Sequence, residues 1–426
     1  MIDGVHTADL IVVGAGPSGC AAALTAARAG LDVVLLDKAS AFPRHKVCGD
    51  ALTPRAVAAL EALGLTPGPG WHPARGMAVY GERDAPYLFD WPATSGRPTT
   101  AYTVPRDELD AFLLEAATGA GARVSLGSTV TGLLTEAGRA VGVALAHGSA
   151  WHAPVVIDAA GASSRLADAA GMPRLAGRPM GVAVRGYATG APGLLTSDSP
   201  EPWLHSWLAL RGPDGARMAG YGWVFPLGDG RYNVGVGQLS TGPGFRRTDY
   251  KATLRAFLDT LPAGWNLRWD EAAPAGASPI MGAALPMGID RRVLYRRGVL
   301  AVGDAAGLVS PFDGEGVGYG LDSGRWAGEA VVAAHSQGFG TSAAEARLQG
   351  YHHRVKAELG RYFAAGNLFA RLMGHPAALS ACLRFGLPRR WVMRPVNKLM
   401  SNLIAAVGGP LDDRVMRSLL RLLPSA

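Results

Sequence analysis

The 426-residue chain is poor in cysteine and in lysine. Its three cysteines, Cys20, Cys48 and Cys382, lie far apart without the spacing of metal ligands, so we predict neither a disulfide scaffold nor a metal site. This cysteine usage fits a reducing cytoplasm. Only five of the 41 basic residues are lysines, a bias that we attribute to a GC-rich genome, and the net charge of +7 does not indicate nucleic-acid binding.

The chain also lacks a recognisable signal for export or membrane insertion. Its N-terminus has no basic stretch followed by an apolar core and a cleavage site, and no run predicts a transmembrane helix. The uncharged stretch 10–27 is instead a glycine-rich turn with its helix. With 48% apolar residues the composition excludes disordered and fibrous proteins, and the length predicts about two to three domains.

Residues 9–37 have the pattern of a dinucleotide-binding site. The apolar run Leu10–Val13 is typical of a buried parallel strand, and Gly14, Gly16 and Gly19 follow at the spacing of the nucleotide-binding fingerprint. The first glycine permits a tight turn, the second lets the backbone approach a pyrophosphate, and the third allows close packing of helix on strand. The helix N-terminus offers free N–H groups to the phosphates.

Asp37 ends the second predicted strand, where a ribose hydroxyl needs an acceptor. An acid at this position favours an unphosphorylated ribose, because NADP sites place a basic group there. The alternative is a plain structural turn, but the strand, the helix and the acid all agree with a nucleotide site. FAD and NAD both remain open from this stretch alone.

Hydrophobic periodicity divides the chain into three kinds of region. Strands alternate with helices in the first, short strands and turns dominate the second, and helical patterns dominate the last 80 or so residues. We predict a discontinuous nucleotide-binding domain (1–74, 100–175 and 285–345), a substrate-binding β domain (75–99 and 176–284) and a C-terminal helical region (346–426).

Four blocks of sequence, taken in order, resemble the geranylgeranyl reductase family of FAD-dependent oxidoreductases, and within it the bacterial reductases of menaquinone side chains. They are the glycine turn, Pro-Arg-His-Lys-Val-Cys-Gly-Asp at 43–50, Tyr-Gly-Trp-Val-Phe-Pro at 221–226, and Gly303-Asp304 with Pro-Phe-Asp-Gly-Glu-Gly at 311–316. The two outer blocks are shared with all flavoproteins of the aromatic hydroxylase type, and the middle two are more specific. The resemblance covers nearly the whole chain. It implies an α/β fold with a Rossmann-like FAD-binding domain of that type, a β-sheet substrate domain and a helical C-terminal region.

The resemblance also implies roles for individual residues around FAD. It assigns Asp304, after Gly303, to a ribityl hydroxyl, and the segment 311–316 to the neighbourhood of the flavin ring. A glycine-rich helix start agrees with this, because its N–H groups favour the electron-rich edge of a reduced flavin. The cofactor-binding candidates from these blocks are Arg44, Lys46, Cys48, Gly49, Gly303, Asp304, Pro311, Gly314, Glu315 and Gly316, and Arg106, which lies outside them, is a further candidate. For the three basic residues, which we place on the pyrophosphate side, the alternative is a solvated surface turn.

Tyr221, Trp223 and Phe225 alternate along a predicted strand, so their side chains share one face. An aromatic core stripe is the alternative, but the resemblance places this segment over the flavin. An isolated alkene accepts hydride poorly, so its reduction needs a proton at one carbon, and positive charge then builds on the other. Aromatic faces can stabilise that charge by roughly 1–2 kcal/mol each. We name Tyr221 and Cys48 as candidate proton donors, although a lone cysteine is often only a small buried residue.

The predicted function is therefore reduction of C=C bonds in an isoprenoid chain, such as a menaquinone side chain or a geranylgeranyl group. The alternative is an FAD-dependent monooxygenase that hydroxylates an aromatic or polyketide substrate, and a non-catalytic lipid carrier would require a defective flavin site. Ala160-Gly161 stands where related flavoproteins carry Asp-Gly. The reductant is then NAD(P)H with a looser contact, or another donor such as a redox partner protein. Ser310 and Asp313 also differ from the commoner residues of the family, so substrate choice can differ too.

The C-terminal segment 361–426 holds ten basic residues and two aspartates. On a helical wheel, three arginines (Arg414, Arg417 and Arg421) lie opposite Val415, Met416, Leu419, Leu420 and Leu423. Packing on the protein core is the default for such a helix. A polyprenyl substrate, however, gains roughly 3–4 kcal/mol of burial per isoprene unit and does not leave a bilayer unaided. We therefore predict a cytoplasmic protein that associates peripherally with the anionic inner face of the cell membrane.

Overall fold

The computed structural model describes residues 6–93, 97–190, 202–270, 280–404 and 409–426. Within these ranges, 21 strands form four sheets. In chain order they are β1 (His6–Thr7), β2 (Leu10–Val13), β3 (Val33–Leu36), β4 (Ala51–Leu52), β5 (His72–Ala74), β6 (Gly76–Tyr80), β7 (Tyr87–Asp90), β8 (Ala101–Thr103), β9 (Arg123–Ser125), β10 (Val130–Glu136), β11 (Arg139–Leu145), β12 (Ala150–His152), β13 (Val156–Asp158), β14 (Met180–Thr189), β15 (Trp203–Trp207), β16 (Gly220–Pro226), β17 (Arg231–Leu239), β18 (Arg268–Trp269), β19 (Met281–Pro286), β20 (Tyr295–Arg296) and β21 (Val299–Ala301).

Ten α-helices accompany the strands in the described ranges. They are α1 (Pro17–Arg28), α2 (Pro54–Glu61), α3 (Arg106–Gly119), α4 (Leu166–Ala169), α5 (Tyr250–Thr260), α6 (Val317–His335), α7 (Ser342–Met373), α8 (Pro376–Ala381), α9 (Arg390–Met400) and α10 (Leu411–Arg421). Short 3₁₀ turns occur at Ala263–Trp265 and Gly303–Ala306, and a π-helical turn at Cys382–Gly386.

A six-stranded sheet in the order β20-β21-β13-β2-β3-β9 organises the first part of the fold. Its strands are parallel except β20, so the carboxyl ends of β2, β3, β13 and β21 meet at one edge, which is where open α/β sheets bind ligands. Helices α1 and α6 pack closely together. Gly324 and Gly328, four residues apart on one face of α6, make this possible, because Cβ atoms there would lie 2.0 and 2.9 Å from backbone oxygens of α1.

An eight-stranded sheet joins β6 and β7 to strands β14–β19. Its neighbours pair antiparallel except β15 with β6, which are parallel. One core packs under helix α5 around Val234, Val236 and Phe257, and a separate cluster contains Trp223 and Phe225. Since side chains alternate along a strand, the sheet buries its two faces against different partners.

The remaining elements border these two sheets. Strands β10–β12 form an antiparallel meander whose last strand, β12, pairs with β1, whereas β9 extends the six-stranded sheet beside β3. Strands β4, β8 and β5 form a small third layer. Helix α7 is continuous from Ser342 to Met373, so it crosses the predicted junction between 345 and 346. Buried Lys398 bonds Asp413 at 2.9 Å and thereby ties α9 to α10.

Candidate active site

The glycine turn after β2 has two crowded glycines and one open glycine. Gly14 has a φ of +104°, and a Cβ atom on Gly19 would lie 1.8 Å from its carbonyl oxygen, so helix and turn touch directly. A Cβ atom on Gly16 would meet only guanidinium nitrogens, those of Arg44 at 3.6 Å and Arg106 at 3.7 Å. The protein leaves space over Gly16 and lines it with positive charge, which fits a pyrophosphate.

Helix α1 starts at this open position without a protein cap. Its N-cap residue Gly16 makes no side-chain cap, Pro17 follows, and the first turn carries no acid. The partial positive charge of the helix start is therefore available to an anionic ligand.

Asp37 is buried at the end of β3 and orders the turn from the other side. One carboxylate oxygen accepts from the Ala15 N–H at 2.7 Å, and the other accepts from the Ala39 N–H at 2.8 Å. An ionised carboxylate has further lone pairs, so these bonds leave acceptor capacity for a ribose hydroxyl.

Asp110 holds the two arginines above Gly16, and the sequence analysis missed it. Its side chain is fully buried; it accepts from Arg106 Nε at 2.6 Å and lies 3.4 Å from Arg44 Nη2. Removing one partner of a buried ion pair leaves an uncompensated charge, so this carboxylate fixes where both guanidinium groups sit. The i, i+4 spacing of Arg106 and Asp110 on α3 was the available signal.

Asp304, in the turn after β21, lies among cations. Burial raises the pKa of its carboxyl, and the charges of Lys46, Arg106 and Arg174 oppose that rise. Burial and the nearby Arg106 charge lower the pKa of Lys46, which Asp304 counteracts. The backbone of the turn is held by Ser323, whose hydroxyl accepts from Gly303 N–H at 3.0 Å. A half-buried acceptor so placed can take a ribityl hydroxyl.

The 311–316 loop runs between Asp304 and the strand β16. A Cβ atom on Gly316 would lie 3.5 Å from an Asp304 carboxylate oxygen, and one on Gly314 would lie 3.7 Å from the Tyr221 hydroxyl. At the start of the loop, Pro311 packs against Gly366 of α7. The two loop glycines therefore keep the backbone free of side chains where a planar ring would pass.

Glu315 points its side chain toward α2 and α6. Its carboxylate accepts from Thr53 Oγ1 at 3.0 Å. Burial, and the charge of Asp313, raise the pKa of Glu315 to about 7, although Arg55 opposes this rise. The Glu315 carboxylate thus lies among Thr53, Arg55 and Asp313. Its direct contact with the cofactor stays a prediction.

The aromatic stripe, defined as Tyr221, Trp223 and Phe225, lies against the 311–316 loop and against residues 46–50. The Tyr221 hydroxyl donates to the Asp313 carbonyl at 2.6 Å. A Cβ atom on Gly49 would lie 3.5 Å from the Phe225 ring and 3.7 Å from the indole nitrogen of Trp223. The structure thus brings together three segments that are far apart in the chain: the Cys48 loop (residues 46–50), the stripe and the 311–316 loop.

Asn233 joins the stripe to the Cys48 loop, and the sequence analysis missed it as well. Its side-chain oxygen accepts from Trp223 Nε1 at 2.8 Å, while its amide donates to the Cys48 carbonyl at 2.9 Å and to Asp50 at 2.7 Å. The Tyr187 hydroxyl donates to the same Asp50 oxygen at 2.7 Å. The only local signal in the sequence is an Asn within the apolar run of β17, and the structure buries it fully.

Cys48 and Tyr221, the two candidate proton donors, both keep their protons. Burial raises the pKa of the Cys48 thiol although Arg106 opposes it, and burial raises the pKa of Tyr221 well above its usual value. The Arg106 guanidinium is close enough to lower the pKa of the Cys48 thiol and so oppose the effect of burial. That cation would stabilise the thiolate left after proton transfer, whereas the Tyr221 O–H is already bonded to Asp313.

No group of His, Cys, Asp and Glu residues in the described ranges could hold a metal ion. Within the same ranges, no helix has the length and hydropathy needed to cross a membrane.

Comparison with known proteins identifies the cofactor and the family. Residues 7–358 match the family described as FAD binding domain. The menaquinone reductase of Mycobacterium tuberculosis (strain H37Rv) is 38% identical over 411 residues, which cover 96% of this chain and 93% of that protein. Digeranylgeranylglycerophospholipid reductase 1 of Methanopyrus kandleri is 32% identical over 334 residues, or 76% of this chain and 80% of that protein.

The fold agrees with a solved structure. A geranylgeranyl bacteriochlorophyll reductase-like protein of Thermoplasma acidophilum superposes with a TM-score of 0.78 at 22% identity, over 98% of this chain and all of that one. The predicted α/β fold with a Rossmann-like FAD-binding domain of the aromatic hydroxylase type is thereby confirmed, as is FAD as the cofactor. The chain belongs to the geranylgeranyl reductase family of FAD-dependent oxidoreductases and is similar to its menaquinone reductases.

Proposed function

We propose that this flavoprotein saturates C=C bonds of an isoprenoid chain, with the polyprenyl side chain of a menaquinone as the substrate class. The aromatic stripe is the observation that supports this most, because three rings on one strand lie against the Cys48 loop and the 311–316 loop. The names of the relatives, menaquinone reductase and digeranylgeranylglycerophospholipid reductase, point to the same chemistry.

Bound FAD, once reduced by the electron donor, would supply a hydride, and the chain would supply binding, aromatic faces and a proton. Arg44 and Arg106 would hold the pyrophosphate over Gly16, and Asp304 would accept a ribityl hydroxyl. The faces of the stripe would stabilise the positive charge that develops on the tertiary carbon of the alkene. We assign the proton to the Cys48 S–H, because Arg106 can stabilise the resulting thiolate.

The source of electrons is NAD(P)H or another donor, such as a redox partner protein. Asp158 lies two residues before Ala160-Gly161, but its carboxylate is buried. It accepts from the Ser164 hydroxyl at 2.7 Å and the Ala167 N–H at 3.0 Å. Asp158 therefore does not replace the missing acid, which supports a looser nicotinamide contact or a protein donor.

We also propose that the C-terminal helices rest on an anionic membrane. Trp391 and Leu422 are 77% and 81% exposed, and Phe385 and Leu411 are exposed too. Exposed arginines flank them: Arg384, Arg389, Arg390, Arg394, Arg414 and Arg421. Apolar side chains next to basic ones suit insertion at the headgroup level of anionic lipid. If the protein does not bind anionic liposomes at low salt, this part of the proposal is wrong.

The decisive experiment separates a reductase from a hydroxylase. The enzyme is reduced with dithionite without oxygen and then mixed with a menaquinone or another polyprenyl lipid. We expect the flavin to be reoxidised, which restores its absorbance, and the product to be two mass units heavier for each saturated bond. If reoxidation requires oxygen and an aromatic substrate gains sixteen mass units, the protein is a hydroxylase and the proposal fails.

A further inference from the structure

A basic cleft of about 540 Å³ lies away from the candidate active site. The turn between β10 and β11, the turn between β20 and β21, and the first part of α7 form its walls. Arg297 precedes β21 and Asp304 follows it, so the cleft lies toward the amino end of that strand and the flavin site at its carboxyl end. Neither the family match nor the site described above accounts for it.

Positive charge exceeds negative charge in this cleft. Its lining contains three arginines, two histidines and a single carboxylate: Arg139, Arg296, Arg297, His352, His353 and Glu345. Glu345 forms an ion pair with Arg139 and accepts from the Tyr295 hydroxyl. Arg296 donates to the Gly171 carbonyl, and Arg297 has no ion pair among the described residues. Two guanidinium groups are therefore not neutralised by a carboxylate.

The guanidinium groups of Arg139 and Arg297 lie next to the two turns, and the Arg297 side chain is exposed. Arg297 Nη1 lies 3.3 Å from the Cβ position of Gly138, and the Arg139 guanidinium carbon lies 3.6 Å from that of Gly298. The Ala140 N–H donates to the Arg297 carbonyl at 3.0 Å, which joins one turn to the other. The joined turns therefore bring the two guanidinium groups to the same wall of the cleft, where the exposed Arg297 is accessible to a ligand.

His352 adds a buried polar atom to the same wall. Its Nδ1 has no hydrogen-bond partner among the described residues. Burial and the neighbouring charges of Lys356 and His353 lower the pKa of this imidazole, which favours the neutral form, whose ring nitrogens can donate or accept. Buried polar atoms normally have partners, and a ligand in the cleft would provide one.

We propose that the basic cleft binds a phosphate-bearing ligand at a site separate from FAD. Guanidinium groups form bidentate hydrogen bonds with phosphate oxygens. The volume of the cleft is that of an ordinary small-molecule site. The ligand is either a soluble phosphorylated molecule or a phospholipid headgroup, since both present the same chemistry.

The first test is calorimetric titration of FAD-loaded protein with inorganic pyrophosphate at low salt. Bound FAD occupies the site over Gly16, and a cleft variant separates binding in the cleft from binding at the exposed arginines of the C-terminal helices. The variant is Arg297→Gly, which removes the guanidinium, and its fold should persist because Arg297 has a φ of +49° that glycine adopts more easily. The control is Arg347→Ala, an exposed arginine on α7 outside the cleft lining.

We expect one pyrophosphate per chain, binding at least tenfold weaker in Arg297→Gly and unchanged within twofold in Arg347→Ala. Absence of binding by the unmodified protein at millimolar pyrophosphate would overturn the proposal. Equal weakening in both variants would overturn it too, because the attraction would then be only general net charge.

Vesicles of phosphatidylcholine with and without phosphatidic acid identify the source of the phosphate. If Arg297→Gly reduces binding of the acidic vesicles by the same factor as pyrophosphate binding, the site takes a lipid headgroup. If it weakens only pyrophosphate binding, the site takes a soluble ligand. Both results support a phosphate site in the cleft.

Discussion

The carboxyl edge of the six-stranded sheet and the surface of α9 and α10 use arginine in opposite ways. At the sheet edge, Arg44 and Arg106 are largely buried and share the carboxylate of Asp110. On the C-terminal helices, Arg390 and Arg394 are exposed next to an exposed Trp391. The first arrangement directs positive charge at one place where an anionic group can bind, while the second leaves apolar surface in water. One region is built around a cofactor, and the other is suited to a partner that covers it.

Substitutions in the glycine turn after β2 should have the largest effects. One of them should prevent folding, and the other should prevent FAD binding alone. Gly19→Val places a side chain where the Gly14 carbonyl lies, 1.8 Å from the Cβ position, so the variant should not fold. Gly16→Val has room within the protein and should fold, but it fills the pyrophosphate path. Circular dichroism and flavin absorbance of the purified proteins measure the two effects. Full FAD occupancy in Gly16→Val would contradict the assignment of the site.

Asn233→Leu tests how far the site depends on buried hydrogen bonds. The change leaves the Trp223 indole N–H and Asp50 with fewer partners, and we expect a loss of about 2–4 kcal/mol in the free energy of unfolding. Urea unfolding measures it. The control is Asn397→Leu on helix α9, whose side-chain oxygen accepts one long contact, from the Ser401 hydroxyl at 3.4 Å. Equal effects in both variants would show that Asn233 is not special.

Glu315→Gln tests the buried sheet edge through the pH dependence of the free energy of unfolding. The pKa of Glu315 in the folded protein is about 7, above the usual 4.5 of a glutamate. Between these values the folded state keeps a proton that the unfolded state has lost, so the stability of the unmodified protein falls as pH rises and levels off above pH 7. The glutamine variant lacks this slope. We expect it to gain on the order of 1–3 kcal/mol relative to the parent between pH 5 and pH 8.

Urea midpoints at both pH values measure this effect. Glu358→Gln, at an exposed position on α7, controls for removal of a carboxylate in general. If the free energies of unfolding of the parent and Glu315→Gln differ by the same amount at pH 5 and pH 8, the prediction is wrong.

Trp223→Ala should slow alkene reduction by roughly tenfold while FAD stays bound, because one aromatic face is worth about 1–2 kcal/mol to a nearby cation. Cys48→Ala should have a smaller effect if water can supply the proton. Single-turnover reduction measures both, with Trp223→Phe as the control that keeps an aromatic ring. Unchanged rates in Trp223→Ala and Cys48→Ala would mean that these residues only fill the core.

Trp391→Ser should have the smallest effect on folding and a clear effect on membrane binding. The side chain is 77% exposed, so the free energy of unfolding should change by less than about 0.5 kcal/mol. Binding to anionic vesicles should weaken by about tenfold, as cosedimentation would show. Leu88→Ser, at a 39% exposed position on β7, is the control. Equal vesicle binding by both variants would remove the C-terminal surface from the proposal.

Much of the site could be predicted because its signals are local. The strand before Gly14 and the helix after it follow from apolar periodicity and from backbone freedom at glycine, which depend on neighbours in the chain. The alternation of Tyr221, Trp223 and Phe225 likewise required their side chains to share a face. For α10, however, the wheel gave a single apolar face, whereas the structure buries Met416 and leaves Val415 and Leu419 exposed.

The amino-acid sequence by itself determined the nucleotide-binding turn, the family and the order of the elements, since each depends on short segments whose conformation is set nearby. Only the tertiary structure decided which distant groups meet. Asn233 reaches Cys48 across 185 positions, and Thr53 reaches Glu315 across 262. No local rule specifies such pairs, because each forms only when packing of both sheets places two polar groups beyond the reach of water and leaves each the other as its partner.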